Sequence, residues 1–331
     1  MQEFKALLVE EKAEKEFVAK VVQRHLDDLP EGDVLIRVRY SSLNYKDALS
    51  ASGNKGVTRT FPHTPGIDAA GEVVEGGDSN FKPGDEVVVI GYDLGMNTPG
   101  GFGQYIRVPA QWVIPRPVNL SLKETMILGT AGFTAALCVE KLLQNGMDPA
   151  LGEVLVTGAT GGVGAVAVAI LSKLGYSVVG STGKSYGEQF LQGLGASRVI
   201  DRQALSEESS RPLLKEQWAA AVDVVGGQTL VNILKSLNYG SSVACCGLVE
   251  SPALPATVLP FILRGVNLLG VDSVNLPLET KVRVWNRLAS EWKLDNLESL
   301  GQDIGFDELS DSLQSVLNGK AVGRMVLNLD S

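Results

Sequence analysis

The stretch Gly152–Ser185 constrains the fold most strongly, because it carries the pattern of one β-strand–helix–β-strand unit. A short apolar run at Val154–Thr157 predicts a buried parallel strand, and glycines follow it at once. An alanine-rich helical pattern then runs to Gly175, and a second strand is predicted at Ser177–Gly180. This order favours a dinucleotide-binding turn, in which backbone amides at a helix N-terminus hold a pyrophosphate.

The glycine spacing in this turn departs from the strict G-x-G-x-x-G motif. Gly158, Gly161 and Gly164 give G-x-x-G-x-x-G, and a tight turn that binds no ligand is the alternative interpretation of such a match. The strand before the turn and the helix after it favour dinucleotide binding. The residues predicted to line the pyrophosphate are Gly158, Gly161, Gly162, Val163 and Gly164.

The residues after the second strand indicate which dinucleotide binds. NAD sites place an acidic residue roughly 20 positions after the glycines, but no Asp or Glu occurs here before Glu188. Hydroxyl groups and a lysine suit a 2′-phosphate instead. We therefore predict NADPH as the cofactor, selected by Lys184; a solvated surface lysine is the alternative. The other residues predicted at this end are Ser181, Thr182, Gly183 and Arg202.

Composition limits the class of protein. A chain of 331 residues, 44% of them hydrophobic, predicts two domains. The net charge of −9 argues against nucleic acid or an anionic membrane as a partner. No apolar run reaches 18 residues and the N-terminus is charged, so we expect a soluble cytoplasmic protein. Cys138, Cys245 and Cys246 form neither a disulfide framework nor a metal-ligand spacing, and buried thiols are expected.

The two halves of the chain differ in pattern. Short strands and glycine-rich turns over about 120 residues predict a partly closed, barrel-like β domain. From Ser121 onwards helices alternate with strands, which is typical of a doubly wound parallel α/β sheet. The strands are predicted at Lys5–Val9, Phe17–Gln23, Asp33–Tyr40, Val87–Ile90, Gln104–Val108, Arg198–Asp201, Val222–Val225, Ser242–Cys246 and Asn267–Val271, with helices near 203–218 and 228–237.

The C-terminal segment is expected to return to the first domain, because the parallel sheet is complete at six strands. Two further helices are predicted near 279–292 and 306–318, before a final strand at Arg324–Leu329. The predicted catalytic domain therefore comprises residues 1–124 and 272–331, and the dinucleotide-binding domain comprises residues 125–271.

Longer motifs point to a known family. The runs GIDAAGEVVEGGDSNFKPGDEVV, GTAGFTAAL and GATGGVG resemble the medium-chain dehydrogenase/reductase superfamily over essentially the whole chain. SSLNYKDAL (41–49), FPHTPGIDAAG (61–71) and PATVLPFILRGVNLLGVDSV (255–274) resemble the zinc-free YhdH/YhfP group of quinone oxidoreductases and acrylyl-CoA reductases. The resemblance implies a GroES-like catalytic domain, a Rossmann domain for NADPH, a homodimer, and an active site in the cleft between domains.

The superfamily's zinc ligands are replaced in this chain. Asn44 stands where its zinc enzymes carry a cysteine, and Gly66-Ile67-Asp68 stands where they carry Gly-His-Glu. Zinc needs three or four thiolate, imidazole or carboxylate ligands, and neither His25 nor His63 lies at a ligand position. We therefore expect no metal, and hydride transfer to an activated C=C whose developing negative charge is met by hydrogen-bond donors. Alcohol oxidation fits poorly, because it needs a metal or a strong base.

Candidate catalytic residues follow a strand of the first domain. Tyr45 is a candidate proton or hydrogen-bond donor, with a locally satisfied core tyrosine as the alternative. Asn44 is a candidate to orient the substrate carbonyl, although asparagine also caps helices. Asp47 and Asp68 are candidates for a polar network. Asp68 lies in the apolar run GIDAAG, where a buried carboxylate needs partners or a raised pKa, so a purely structural role is the alternative.

The remaining site predictions concern the nicotinamide end and an anion. Arg324 is a candidate to reach a phosphate or a CoA-like anion, with a structural role as the alternative. Two substrates remain open, an acrylyl-CoA-like thioester and a quinone, and an NADPH-binding sensor or structural protein is the non-enzymatic alternative. The residues predicted near the nicotinamide are Thr130, Thr134, Gly247, Leu248, Asp272 and Ser273.

Overall fold

The computed structural model describes residues 2–331, which fall into two units with separate hydrophobic clusters. The first unit comprises the chain up to Thr130 together with Val274–Ser331, and the second comprises Ala131–Ser273. These boundaries lie a few residues beyond the predicted ones. The C-terminal segment returns to the first unit.

Fifteen strands are assigned within residues 2–331. They are β1 (Glu3–Ala13), β2 (Glu16–His25), β3 (Val34–Ser42), β4 (Asp68–Glu75), β5 (Glu86–Ile90), β6 (Tyr105–Val108), β7 (Val113–Pro115), β8 (Val154–Val156), β9 (Val178–Thr182), β10 (Arg198–Asp201), β11 (Trp218–Asp223), β12 (Leu237–Cys245), β13 (Asn267–Gly270), β14 (Gly301–Ile304) and β15 (Arg324–Asn328).

Nine α-helices accompany them in the same described part of the chain. They are α1 (Tyr45–Ala51), α2 (Leu122–Gln144), α3 (Gly162–Lys173), α4 (Gly187–Gly193), α5 (Gln203–Ser206), α6 (Gly227–Ser236), α7 (Leu259–Arg264), α8 (Leu278–Leu288) and α9 (Leu309–Leu317).

The first unit is built on a seven-stranded sheet in the order β14-β15-β3-β4-β5-β7, with β6 paired to β3. The strands β1 and β2 form a separate antiparallel pair. Period-two alternation in β3 turns Val34, Ile36 and Val38 into the core, where each is at most 1% exposed. Burying each such side chain stabilises the unit by about 1.5–3 kcal/mol.

The second unit is a parallel six-stranded sheet in the order β10-β9-β8-β11-β12-β13. The chain runs outward from β8 to one edge and then from β11 to the other, so the strand order reverses between these two strands. Ligands of open α/β sheets bind beyond the carboxyl ends of strands at such a reversal. The predicted doubly wound fold is confirmed.

The prediction of a helix over 203–218 is wrong beyond α5. Only Gln203–Ser206 is helical, and Trp218 already begins β11, four residues before the predicted start of that strand at Val222. Pro212 cannot donate a helical hydrogen bond and restricts the residue before it, which prevents a helix from continuing through residues 211–212. The sequence analysis also missed β4, β7, β14, α4 and α7.

The helix α2 is long and apolar enough, by length and composition, to cross a membrane. The most apolar 18-residue window of this helix is 83% buried inside the protein, however, as expected of a core helix. Its length is therefore weak evidence for a membrane span. A kink divides the helix at Gly129, whose φ of 51° and ψ of −158° are not helical.

Candidate functional site

The turn between β3 and α1 brings the first group of predicted site residues together. Asn44 is the N-cap of α1 in an extended conformation, and its backbone N–H donates to Asp47 Oδ2 at 2.8 Å. Asp47 Oδ1 also accepts from the backbone N–H of Ile67 at 2.8 Å and from that of Gly66 at 3.2 Å. The fully buried Asp47 carboxylate therefore fixes the start of α1 against the segment that leads into β4.

The Asp68 carboxylate is the centre of the same network and is also fully buried. Its Oδ2 accepts from Ser42 Oγ at 2.5 Å, Asn44 Nδ2 at 2.8 Å and the backbone N–H of Thr130 at 2.9 Å. Its Oδ1 accepts from Thr130 Oγ1 at 2.5 Å. Four donor groups from two separate segments, the β3–α1 turn and the kink of α2, offset the desolvation of this carboxylate. The sequence analysis missed Ser42, although a polar residue directly after a strand was an available signal.

Arg324 supplies the cation of this network and is only 3% exposed. Its guanidinium donates to the carbonyl oxygens of Ile127 at 2.9 Å and Leu43 at 3.1 Å, and to Asn44 Oδ1 at 3.4 Å. Its Nη2 lies 4.0 Å from Asp68 Oδ2 and makes no hydrogen bond within residues 2–331. The side chain thus lies inside the first unit, which agrees with the structural alternative for Arg324.

The kink in α2 is what allows the helix to approach this network. A Cβ atom on Gly129 would lie 2.4 Å from Ser42 Oγ, 2.5 Å from Asp68 Oδ2 and 2.9 Å from Arg324 Nη2. The positive φ of Gly129 also strains any residue with a side chain. Only glycine satisfies both conditions, and this lets Thr130 donate twice to Asp68.

Asn44 and Tyr45 differ in how accessible they are. The Asn44 amide already donates to Asp47 and Asp68 and accepts from Arg324, so its polar atoms are engaged by the protein. Tyr45, at the first position of α1, is 39% exposed. Of the two residues predicted to contact substrate, Tyr45 is the one whose side chain reaches the surface of the first unit.

The Asp47 carboxylate differs from an ordinary surface acid. Burial raises the pKa of Asp47 from 3.8 to about 7, and the negative charge of Asp68 adds to the rise. Backbone donors from Ile67 and Asn44 oppose it. Burial lowers the pKa of the Arg324 guanidinium, whereas Asp68 and Asp47 raise it. An arginine nevertheless stays protonated at neutral pH, so this cluster holds one permanent cation.

The glycine turn of the second unit has the shape that a pyrophosphate requires. Gly158 adopts a φ of +54°, and a Cβ on Gly164 would lie 2.5 Å from the Gly158 carbonyl oxygen. The helix α3 therefore packs close behind β8, and its N-cap Gly161 leaves the N–H groups of the first turn, including Gly162 and Val163, outside the helical ladder. These residues fit a dinucleotide phosphate.

Two cationic residues, Lys184 and Arg202, adjoin Gly183 at the end of β9. A Cβ on Gly183 would meet Arg202 Nε at 2.6 Å, so the Arg202 side chain lies directly against this glycine. Lys184 is partly buried, and burial lowers the pKa of its ammonium group. Thr182 Oγ1 accepts from the Lys184 N–H at 3.2 Å, while Ser181 is 1% exposed and faces the interior. The cationic pair suits a 2′-phosphate.

The other predicted cofactor contacts lie at the carboxyl ends of β12 and β13, which are adjacent strands. Gly247 and Leu248 follow β12, with Leu248 58% exposed. Asp272 and Ser273 follow β13, and Ser273 Oγ accepts from Thr134 Oγ1 at 2.9 Å. The four residues that follow β12 and β13 therefore lie at the carboxyl ends of the parallel strands, as does the glycine turn that follows β8.

Metal ligands do not converge in the part of the chain that the structure describes. Among residues 2–331, no group of three or more His, Cys, Asp or Glu side chains is arranged to hold a metal ion. His63 instead contacts the Gly95 carbonyl oxygen at 2.9 Å through Nε2.

Two family models match this chain. The alcohol dehydrogenase GroES-like domain matches residues 30–118, and the zinc-binding dehydrogenase domain matches residues 162–290. A GroES-like domain followed by a Rossmann domain defines the medium-chain dehydrogenase/reductase class.

Full-length relatives narrow this class. The Bacillus subtilis protein named "Putative quinone oxidoreductase YhfP" is 46% identical over 98% of this chain and 99% of its own. Acrylyl-CoA reductase AcuI of Ruegeria pomeroyi is 44% identical over 99% of this chain and 100% of its own. The chain therefore belongs to the zinc-free quinone oxidoreductase/acrylyl-CoA reductase family of the medium-chain dehydrogenases/reductases, as the sequence motifs predicted.

Solved structures of relatives have the same fold as this chain. The YhdH oxidoreductase of Salmonella enterica in complex with NADP has a TM-score of 0.94 and 42% identity, covering 98% of this chain and 99% of its own. Bacillus subtilis YhfP with NAD bound has a TM-score of 0.95 and 45% identity, covering 99% and 100%. The predicted fold class is confirmed.

The raised pKa of Asp47 generates a prediction about stability and pH. The folded state binds this proton more tightly than the unfolded state, so the stabilisation is present below about pH 4 and is lost as the pH rises through about 7. The unfolding free energy of the wild type, relative to Asp47→Asn, should therefore fall over this range by on the order of 4 kcal/mol.

Urea denaturation of both proteins at several pH values between 4 and 8 measures this difference. Asp78→Asn, at an exposed aspartate of the same unit, is the matched control and should show no such trend. A flat difference between wild type and Asp47→Asn would contradict the assignment.

Proposed function

We propose that this protein is an NADPH-dependent oxidoreductase that reduces an electron-poor C=C bond or a quinone. Relatives that match it over their full length are named for these two substrates, acrylyl-CoA and quinone. The observation that carries the proposal is the placement of Tyr45, whose side chain is 39% exposed while the buried network of Asn44, Asp47 and Asp68 fixes the start of α1 beneath it. A hydroxyl donor held in place in this way suits a reaction in which negative charge develops on the substrate.

The glycine turn and the cationic pair would hold the cofactor. The first-turn N–H groups of α3 would bind the pyrophosphate, while Lys184 and Arg202 would meet the charge of the 2′-phosphate. When bound, the reduced nicotinamide supplies the hydride for the reaction.

The first unit would act on the substrate through Tyr45. Its hydroxyl would donate a hydrogen bond to the substrate carbonyl oxygen and thereby stabilise negative charge on that oxygen. Asn44, Asp47 and Asp68 would act indirectly, because their hydrogen bonds fix the start of α1 and therefore the position of Tyr45. We assign these three residues to positioning, and Tyr45 to contact with the substrate.

We also propose that the protein forms a homodimer through the second unit. The strand β13 is an edge of the six-stranded sheet, and an unpaired edge is a template for another strand. The segment between β12 and β13 carries exposed apolar side chains that form a cluster in sequence, which are Val249, Leu254, Val258, Ile262 and Leu263. A second copy would cover this cluster and pair the two edges about a two-fold axis.

A cytoplasmic location is proposed as well. Its support is the three free cysteines, which are typical of a reducing compartment, and the net charge of −9, which does not favour anionic membranes or nucleic acid.

The function is tested by following NADPH oxidation with acrylyl-CoA, small quinones and short enals. Turnover is expected with at least one of these classes. Tyr45→Phe should lower kcat by about 10²-fold or more, with little change in NADPH affinity, because it removes only the donor hydroxyl. Tyr239→Phe, at a 79% exposed tyrosine, is the control. Tight NADPH binding without turnover on the whole panel would favour a sensor instead.

The cofactor preference is tested at Lys184. Losing one charge-assisted contact should weaken NADPH binding by about 1–3 kcal/mol in Lys184→Ala and leave NADH binding unchanged. Lys215→Ala, at an exposed lysine of the same unit, should change neither affinity. Calorimetric titration with both nucleotides measures the two values, and an equal loss for NADH and NADPH would reject the role of Lys184.

The assembly is tested by light scattering after size exclusion. The wild type should have the mass of a dimer, and the double variant Ile262→Asp, Leu263→Asp should have that of a monomer, since it buries charge in the apolar contact. Val118→Asp, at a side chain that is 88% exposed in the first unit, should remain a dimer. A monomeric wild type would rule out the proposed interface.

A further inference from the structure

A buried aspartate of the second unit joins the glycine turn to a second turn. Asp223 ends β11 and Thr157 directly follows β8, and both side chains are fully buried. Thr157 Oγ1 donates to Asp223 Oδ1 at 2.7 Å, and it also accepts from the backbone N–H of Val224 at 3.1 Å. The function proposed above uses none of these side chains.

The same carboxylate fixes the turn that follows β11. Its Oδ2 accepts from the backbone N–H of Gly226 at 2.9 Å, and its Oδ1 accepts from that of Val225 at 3.4 Å. Gly226 has a φ of +74°, a conformation that glycine adopts without strain. The Asp223 side chain therefore holds its own turn in shape and also joins that turn to Thr157.

The two turns are in direct contact. A Cβ atom on Gly158 would lie 2.5 Å from Val224 Cγ2, so the glycine turn packs against the turn after β11. A Cβ on Gly247 would lie 2.0 Å from the Val224 carbonyl oxygen, and the Cys246 N–H donates to the Asp223 carbonyl oxygen at 3.0 Å. The turn after β11 therefore contacts both the glycine turn and the segment after β12.

We propose that Asp223 is a positioning residue for the nucleotide. Its carboxylate holds the turn after β11 against the glycine turn through Thr157, and it thereby shapes the crevice between β8 and β11, where the strand order reverses. Asp223 does not touch the cofactor, because its side chain has no exposed surface. This role rests on the proposed function, since it requires a dinucleotide phosphate at the glycine turn.

The Asp223 carboxylate depends on its hydrogen bonds. Within residues 2–331 the donors to this side chain are all neutral, namely the Thr157 hydroxyl, two backbone N–H groups and the Cys245 thiol at 3.9 Å. Burial raises the pKa of Asp223, whereas these donors lower it. A buried carboxylate without a cation stays ionised only through such donors, so the loss of one donor disturbs the whole arrangement.

Replacing Asp223 should weaken the binding of NADPH and NADH by the same factor. Asp223→Asn leaves one oxygen for the donors of Thr157 and Gly226, which the two carboxylate oxygens serve in the wild type. If the arrangement that binds nucleotide falls to about a tenth of the folded population, the apparent Kd rises about tenfold. Lys184→Ala should instead affect NADPH alone.

Thr157 offers a matched pair of variants. Thr157→Val keeps the shape of the side chain but removes the hydroxyl, and it should also raise both Kd values about tenfold. Thr157→Ser keeps the hydroxyl and should recover most of the affinity. A residue that only fills space would give the opposite order, because serine is the smaller side chain. The double variant Asp223→Asn, Thr157→Val should bind no more weakly than the weaker single variant, since both remove one contact.

Calorimetric titration of the full-length proteins with NADPH and NADH measures these Kd values, and urea denaturation without nucleotide shows that each variant is folded. Asp148→Asn is the control and should bind as the wild type does. This exposed aspartate of the same unit also accepts from a backbone N–H, that of Ala150 at 2.8 Å, but it precedes β8, whereas the glycine turn follows that strand.

Either single variant decides the role of Asp223 if the other does not fold. Unchanged nucleotide affinity in a folded Asp223→Asn or Thr157→Val protein would overturn it, and so would additive losses in the double variant or a greater loss in Thr157→Ser than in Thr157→Val. In these cases the wild type still binds NADPH and the proposed function stands. A wild type that binds neither nucleotide would refute the proposed function, and the role of Asp223 with it.

Discussion

The first unit depends on the hydrogen bonds that surround the buried Asp68 carboxylate. A carboxylate without exposure is tolerated only when donors or a cation replace its water. Its donors come from the end of β3, the N-cap of α1 and the kink of α2, and its nearest cation comes from β15. The first two of these are adjacent in the chain, whereas α2 and β15 are far from them and from each other, so a single desolvated charge fixes the relative positions of the β3–α1 turn, α2 and β15. The position of Tyr45 follows from this arrangement.

The two units use different groups to stabilise negative charge. In the first unit, hydroxyl, amide and guanidinium groups of side chains surround two carboxylates. The charge of Arg324 is permanent, whereas the charge of Asp47 depends on pH. In the second unit, the groups that we propose to bind an anion are backbone amides at the glycine turn and the partly exposed side chains of Lys184 and Arg202. A buried network is rigid because each member needs its partners. An open helix N-terminus needs only a glycine turn and an anion.

Prediction from the sequence succeeded where local pattern and tertiary structure agree. The strand β10 was predicted at its observed residues, and the glycine turn before α3 was recognised from its glycines together with the strand before it and the helix after it. It failed where tertiary contacts override the pattern. The strand β4 begins with Asp68 and contains Gly71, and neither residue type favours a strand. Hydrogen-bonded pairing with β3 on one side and β5 on the other nevertheless makes this segment a strand. The sequence analysis predicted a helix through residues 207–217, although a proline at position 212 disfavours one.

By itself, the sequence determined many of the strands and helices, the doubly wound sheet, the family and the set of candidate site residues, because these depend on periodicity and on motifs of adjacent residues. Only the tertiary structure decided how those residues are used. It engaged the Asn44 amide, buried Arg324 beside Asp68 and required a glycine at position 129. These outcomes depend on contacts between segments far apart in the chain. Such contacts form because buried polar groups need hydrogen-bond partners, and a local sequence pattern does not show which distant residue will be that partner.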